Sequence, residues 1–335
     1  MSLLRRTLYF LLLFCATSLI VLTLASLTYE SSLWYFKVLD FPRLLVLLAL
    51  LICLTIFIFW AHQRKRSSWL LLAGLLSATA IQAYFLYPYT PLGAESVTTA
   101  VDSPAEDASF SIMVANVFMH NREAKEFLKI AKDKNPTFLL VMEVDEWWME
   151  QLSELDKVYP YRMEQPNDNT YGMALYSKVP LAGGEVQYLN EEGVPSFRTK
   201  ATLANGSAFQ LFTIHPVPPK PSEYPDNIDE EEVALMKAGR QIADSGSLPT
   251  LMAGDLNDVG WSYNSRRFEK LSGLRDLRCG RGLFNTFDAK SLLLRWPLDY
   301  IYVSPEFKVL EVERLDDFGS DHFPYYARLV LETKN

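Results

Sequence analysis

Cysteine is almost missing from this chain, with three in 335 residues. Cys15 and Cys53 lie inside strongly apolar runs, which leaves Cys279 as the lone thiol of the more polar part, so no disulfide can form within that part. The roughly 225 residues that follow the apolar region must rely on their own core, and that length is ample for one. Acidic residues are scarce at the start: residues 1–92 hold two Asp or Glu against seven Lys or Arg. The remainder is short of positive charge, with 25 basic against 38 acidic residues and a formal net of −13. A protein that grips a duplex through its phosphates needs concentrated positive charge, so tight nonspecific DNA binding is disfavoured. There is no internal repeat, and no long inserted basic helix or loop that would clamp a duplex.

What the first ninety residues do have is apolar length. Runs at 8–27, 44–60 and 69–86 each approach the roughly 20 residues needed to cross a bilayer core, and predict three transmembrane helices. Arg5 and Arg6 precede the first run, and Arg64, Lys65 and Arg66 follow the second. Basic flanks stay cytoplasmic, so the N-terminus is expected inside and everything after Tyr87 on the extracytoplasmic side. Residues 88–109, rich in Pro, Ser, Thr, Ala and acid without an apolar period, read as a flexible tether. The chain divides accordingly into an anchor at 1–90, a linker at 91–109 and a folded domain at 110–335.

From Phe110 short apolar strands alternate with amphipathic helices. FSIMVANV, TFLLVMEV and YGMALYSK read as strands, with helices at 122–134 and 145–159 between them. SFRTKATLA and AFQLFTIHPV flank Asn205-Gly206, the turn of an antiparallel hairpin. A helix at 228–244, the strand PTLMAGDLN, a short helix at 264–271 and the strands LDYIYVS, KVLEVERL and PYYARLVLE complete an α+β layered sandwich.

Polar residues stand at the ends of these apolar strands, where side chains can leave the core for a shared cleft: Asn116, Glu143, His215, Asp255, Asn257, Asp299, Asp321 and His322. Arg198, in SFRTK, stands where a strand can aim a guanidinium at a phosphate. His62 and His120 have no such setting. Trp147 and Trp148 lie on an amphipathic helix and read as packing rather than as base-stacking platforms.

The order ANV, MEVD, TIHPVPP, GDLND, LDYIYVS and GSDHFP resembles the motif series of the endonuclease/exonuclease/phosphatase superfamily, which includes deoxyribonuclease I, abasic-site endonucleases, neutral sphingomyelinases and inositol polyphosphate 5-phosphatases. The three apolar runs with GDLNDVGWS and RWPLDYIY are most similar to its bacterial membrane-anchored members. The resemblance implies a four-layered α/β/β/α sandwich, a metal-dependent phosphoesterase activity on nucleic acid or a lipid headgroup, and a location in the inner membrane. It implies Glu143 as the principal Mg2+ ligand, with Mn2+ as a substitute, Asn116 supporting metal and phosphate, and Asp321 as a second metal-side carboxylate. Asp255 would orient and deprotonate the attacking water, helped by Asn257; His322 would serve the scissile phosphate with its tautomer fixed by Asp299; and His215 would stand beside the phosphate. Departures are Leu298, which precedes Asp299 where relatives commonly carry a polar residue, and the absence from the sequence of an additional lipid-anchoring hairpin of the sphingomyelinase type. A competing reading, a binding module that kept the fold and lost turnover, is opposed by the presence of Glu143, Asp255, Asp321 and His322 together.

Overall fold

The computed structural model describes residues 3–28, 34–61, 66–101, 106–218 and 233–332. Its first part consists of α1 (Leu3–Ala25), the single turn α2 (Trp34–Lys37), α3 (Arg43–Ile56) and α4 (Arg66–Leu86). Leu12, Ala16, Leu50, Cys53, Phe57, Leu75 and Ala78 interlock α1, α3 and α4 into a bundle. Two of these helices are long and apolar enough to cross a membrane, over Leu3–Ala25 and Ser68–Tyr89. The expected second span is shorter. Its α-helix starts only after Pro42, runs for 14 residues, or about 21 Å, and gives way to a π-helical turn at Phe57–Ala61. The basic residues Arg64 and Lys65 lie outside the described residues.

One end of the bundle is closed by a buried polar network. Arg43 donates from Nε to Asp40 Oδ1 at 3.0 Å, from Nη1 to Gln82 Oε1 at 3.0 Å and from Nη2 to the Ser26 carbonyl at 3.3 Å. Gln82 Nε2 in turn donates to Thr23 Oγ1 at 3.0 Å. The C-terminal ends of α1 and α4 and the start of α3 are thereby held side by side.

The rest of the chain forms two six-stranded sheets. The first runs in the order β11 (Phe307–Arg314), β12 (Tyr325–Leu331), β1 (Ser109–Asn116), β2 (Phe138–Met142), β4 (Met173–Ser177), β3 (Tyr161–Gln165). The second runs β5 (Leu181–Tyr188), β6 (Pro195–Thr202), β7 (Ala208–Ile214), β8 (Thr250–Asp255), β10 (Asp299–Val303), β9 (Arg275–Asp276). Pairing is antiparallel except for β1 with β2 and β7 with β8. The inner faces meet in one core around Ile112, Leu140, Leu211, Leu251, Ile301 and Ala327.

Helices cover both outer faces. Helix α5 (Ala124–Lys134) buries Ala124, Phe127, Leu128 and Ala131, the i, i+3, i+4, i+7 stripe of an amphipathic helix, and stops where Asn135 turns left-handed before Pro136. Helix α6 (Glu146–Leu152) begins at Asp145, whose carboxylate accepts the Trp148 N–H, and seats Trp148 on the first sheet. Helices α7 (Ala234–Asp244) and α8 (Tyr263–Ser272) cover the second sheet. The architecture is the expected two-sheet sandwich with helices outside. The helix expected at 228–244 is described from Ala234; its first residues fall outside the described part.

The expected tether behaves differently. Residues 88–101 lie against the two-sheet domain. Pro88 accepts from Gly280 N at 2.8 Å, Val97 enters the inter-sheet core, and Thr98 to Ala100 run beside β11, with Ala100 N donating to Val309 O at 2.9 Å and Val309 N to Thr98 O at 3.0 Å. The Pro, Thr and Ser of this segment carry no apolar period because only Val97 enters the inter-sheet core, while Tyr89 packs at the junction with the bundle and Ser96 Oγ donates to the Asp276 carbonyl. Two indoles join the domain to the bundle: Trp261 Nε1 donates to Asp40 O and Trp296 Nε1 to Phe41 O, each at 2.7 Å.

Candidate active site

Register brings the strand-end residues to one edge of the sandwich. Asn116 closes β1 beside Met142, the last residue of the parallel β2, so Glu143 emerges one step further on, in a left-handed turn at φ 62°. In the second sheet β7 and β8 are parallel, so His215 and Asp255 leave the core at neighbouring positions. Strand β10 runs the other way, and its first residue, Asp299, stands opposite Asp255. A Cβ on Gly254 would lie 1.8 Å from the Ile214 carbonyl oxygen, so glycine is what allows β7 and β8 to close where these residues meet.

The side chains form one hydrogen-bonded set. Asn116 Nδ2 donates to Glu143 Oε1 at 2.8 Å and to Asp255 Oδ2 at 3.1 Å, joining the two sheets, while its Oδ1 accepts from Phe118 N at 2.9 Å. Met119 N reaches Glu143 Oε2 at 3.2 Å. His322 Nδ1 is 2.8 Å from Asp299 Oδ2, and its Nε2 faces Asp255 Oδ2 at 3.5 Å. His215 Nε2 stands 3.7 Å from the same oxygen. Asn257, at φ 50°, donates its N–H to Asp255 Oδ1 at 2.8 Å and its amide to Pro216 O at 3.0 Å, which fixes the Asp255 carboxylate from behind.

Burial sets the protonation states. It pushes the Glu143 carboxyl up to about 7 against the hydrogen bonds from Asn116 and Met119. It also raises Asp255, with Asp299 adding to the effect and His322 opposing it. At His215 burial lowers the imidazole more than Asp255 raises it. At His322 burial works against the charged form, but the carboxylates of Asp299 and Asp255 outweigh it and lift the ring to about 10. The surroundings of Asp255 thus favour the neutral form of His215 and the charged form of His322.

The family profile described as Endonuclease/Exonuclease/phosphatase matches residues 113–322, an interval that contains every one of these side chains. The chain belongs to this family. No curated protein matches it. Solved structures share its fold. The catalytic domain of human Nocturnin, with a bound sulfate anion, is 16% identical, with a TM-score of 0.54, over 67% of this chain and 94% of that one. An endonuclease/exonuclease/phosphatase protein from Bacteroides vulgatus is 17% identical, with a TM-score of 0.53, over 67% and 99%. TDP2 of D. rerio, complexed with a single-strand DNA product, is 15% identical, with a TM-score of 0.52, over 67% and 99%.

Members of this family are hydrolytic nucleases and phosphatases that commonly use divalent metals, and the donor set here suits one. The ligand atoms of Asp255, Asp299 and His322 lie within 4.8 Å of one another, all buried. Glu143 and the half-buried Asp321 add hard carboxylate oxygens at the mouth, each close enough to His322 to act on its charge. Among the described residues, Asp299 Oδ1 and His215 Nδ1 are buried without a partner.

Of the residues read from the sequence, Asn116, Glu143, His215, Asp255, Asn257, Asp299, Asp321 and His322 come together. Arg198 does not. On β6 it alternates with Phe197, which faces the inter-sheet core, so Arg198 points outward, 5.6 Å above the Phe212 ring on the outer face of the second sheet. Asn116 spends its amide on two carboxylates, so its support of a metal runs through Glu143. Trp148 is core, and Trp261 belongs to the junction with the bundle.

Three contributors carried no sequence signal beyond position. Ser320, inside GSDHFP, donates to the Asn116 carbonyl at 2.8 Å and accepts from His322 N at 3.0 Å. Thr286 Oγ1 accepts from Asp299 N at 3.2 Å, and the Phe287 ring lies 4.9 Å from that of His322.

Proposed function

We propose that this chain is a membrane-anchored, Mg2+-dependent phosphodiesterase, with Mn2+ as a possible substitute ion, whose catalytic domain works at the extracytoplasmic face of the inner membrane. The observation that carries the activity is the Asp299–His322–Asp255 line facing Glu143 across the amide of Asn116. Asp255, a buried carboxylate with a raised affinity for protons, orients a water and takes its proton as the water oxygen attacks phosphorus. The bond from phosphorus to the leaving oxygen breaks, and His322 Nε2–H supplies the proton that oxygen needs. Asp299 keeps Nδ1 protonated and the ring in place. His215, beside the same carboxylate, and Asn257, behind it, limit where the water and a phosphoryl oxygen can sit. Glu143 and Asp321, with Asn116 steadying Glu143, would hold the metal, which when bound neutralises charge on the phosphoryl oxygens.

Support for the membrane comes from the bundle. Phe14, Ile52, Phe59 and Leu70 are among many large apolar side chains on its outside, a surface that water does not favour. The two-sheet domain sits on the end of the bundle formed by the close of α1 and α4, and the basic residues Arg5, Arg6 and Arg64 to Arg66 in the sequence support the reading that this end faces away from the cytoplasm. The substrate is a phosphodiester of nucleic acid or of a lipid headgroup. The test is hydrolysis of bis-p-nitrophenyl phosphate by the purified full chain after chelation and after return of Mg2+. Restored turnover is expected; its absence under every metal and pH condition would remove the enzymatic reading.

A further inference from the structure

Between the anchor and the catalytic centre the chain builds a short turn and points three leucines out of it. Leu292 is 88% exposed, Leu293 78% and Leu294 50%, in a domain whose other apolar side chains are largely buried. The turn is constructed rather than slack. Ser291 N donates to Asp288 O at 3.2 Å, and Lys290 N to Asp288 Oδ1 at 2.8 Å. Leu294 N donates to Ser291 Oγ at 2.8 Å, and Arg295 Nε to Ser291 O at 2.5 Å. This bonding holds the leucines away from the body of the protein. Isolated surface leucines are ordinary, but three in succession at the tip of a braced turn call for a partner.

Position identifies that partner. Trp296, two residues past Leu294, donates to the Phe41 carbonyl and packs edge-on against the Phe41 ring at 5.9 Å. Phe41 belongs to the connection between α1 and α3, where the bundle emerges on the side of the catalytic domain. At 3.3–3.6 Å per residue the leucines lie within about 14 Å of that contact. On its other side the turn meets the catalytic centre: Ala289 N donates to Asp321 O at 2.8 Å, and Phe287 covers His322. Cations gather there in an otherwise acidic domain. Lys290 lies over Phe118 at 4.9 Å, and Arg295 and Arg314 lie over Phe323 at 5.0 and 4.3 Å. Apolar side chains flanked by cations, beside helices of spanning length, match a bilayer interface better than a protein surface.

We infer that the Leu292–Leu294 turn seats in the leaflet at the outer end of the anchor and sets the catalytic mouth against the headgroups, so that the substrate is a lipid phosphodiester in that leaflet. This rests on the membrane-anchored phosphodiesterase reading. It also follows from the docked segment 88–101, which leaves the domain against the anchor rather than on a free tether.

The test uses the full chain in vesicles of phosphatidylcholine and phosphatidylglycerol. A polarity-sensitive fluorophore on Leu293→Cys, with Cys15, Cys53 and Cys279 changed to Ser, should emit to the blue and be quenched by nitroxide-bearing lipid. Emission as in water, without quenching, would overturn the contact. In the chain with its native cysteines, Leu292→Ser/Leu293→Ser/Leu294→Ser should lower phospholipid hydrolysis at least tenfold and leave bis-p-nitrophenyl phosphate turnover within twofold. Equal vesicle hydrolysis by variant and wild type, or faster cleavage of single-stranded DNA than of phospholipid by the wild type, would overturn the inference. Quenching without hydrolysis of any substrate would count against the phosphodiesterase reading, whereas turnover of the soluble substrate without quenching would count against the turn alone.

Discussion

Glu143 is a carboxyl that burial makes reluctant to ionise, pushed up to about 7. A metal needs it deprotonated, so metal and proton compete for the same oxygens. Below pH 7 the apparent Kd for Mg2+ should therefore weaken about tenfold per pH unit, and above about pH 8 it should level off. Calorimetric titration at pH 6, 7 and 8 measures this, and Glu143→Gln should weaken binding at least 100-fold, about the upper end of the effect of losing a supporting partner. Glu143 was legible in the sequence because a charged residue ending the buried run TFLLVM has few structural reasons to be there. Arg198 was misread because alternation within SFRTK fixes which residues share a face, but not which face meets the cleft. Phe197, fully committed to the core, settles that against Arg198. Ser320 and Thr286 escaped because a hydroxyl that braces a catalytic residue has the same sequence appearance as any other hydroxyl.

Elements with a buried face announced themselves and elements without one did not. Strands β1, β2, β4, β7, β8, β10 and β12 are apolar runs and lie within a few residues of where the pattern predicts them. Strands β3 and β5 are the exposed edges of the two sheets, so YRMEQ and LAGGEVQY carry little apolar period to read. Helix α6 illustrates how an element is secured: Asp145 caps it, and Trp148, fully buried, meets Phe127 of α5 edge-on at 5.9 Å. Removing that indole leaves a large cavity between helices and sheet. Trp148→Ala should cost about 3–5 kcal/mol and lower the Tm of the detergent-solubilised chain by about 10 °C, read by circular dichroism.

At the scale of the whole molecule, the helical bundle and the two-sheet domain pack against each other, and their junction is rich in buried acid. Burial pushes Asp258 up to about 7, and burial together with Asp276 pushes Glu269 up to about 8. Both groups sit above their unfolded values, so their contribution to stability is full below about pH 4 and is lost as pH rises through 7 to 8. Tm should therefore be higher at pH 6 than at pH 9, and Asp258→Asn should flatten the difference; a Tm that rises across this range would contradict the account of the junction. The junction was not legible in sequence, because Trp261 and Trp296 speak to Asp40 and Phe41 across more than two hundred residues.

In the proposed function one constellation, reaching from Glu143 through Asn116 and Asp255 to His322, cleaves a phosphodiester. Its most direct test is kcat/KM for bis-p-nitrophenyl phosphate, in Mg2+, of Glu143→Ala, His322→Ala and Arg198→Ala beside the wild type. The first two should fall by about 10³-fold or more, and Arg198→Ala, on the far face of the second sheet, should stay within about threefold of wild type. Activity surviving both Glu143→Ala and His322→Ala would place the catalytic centre elsewhere.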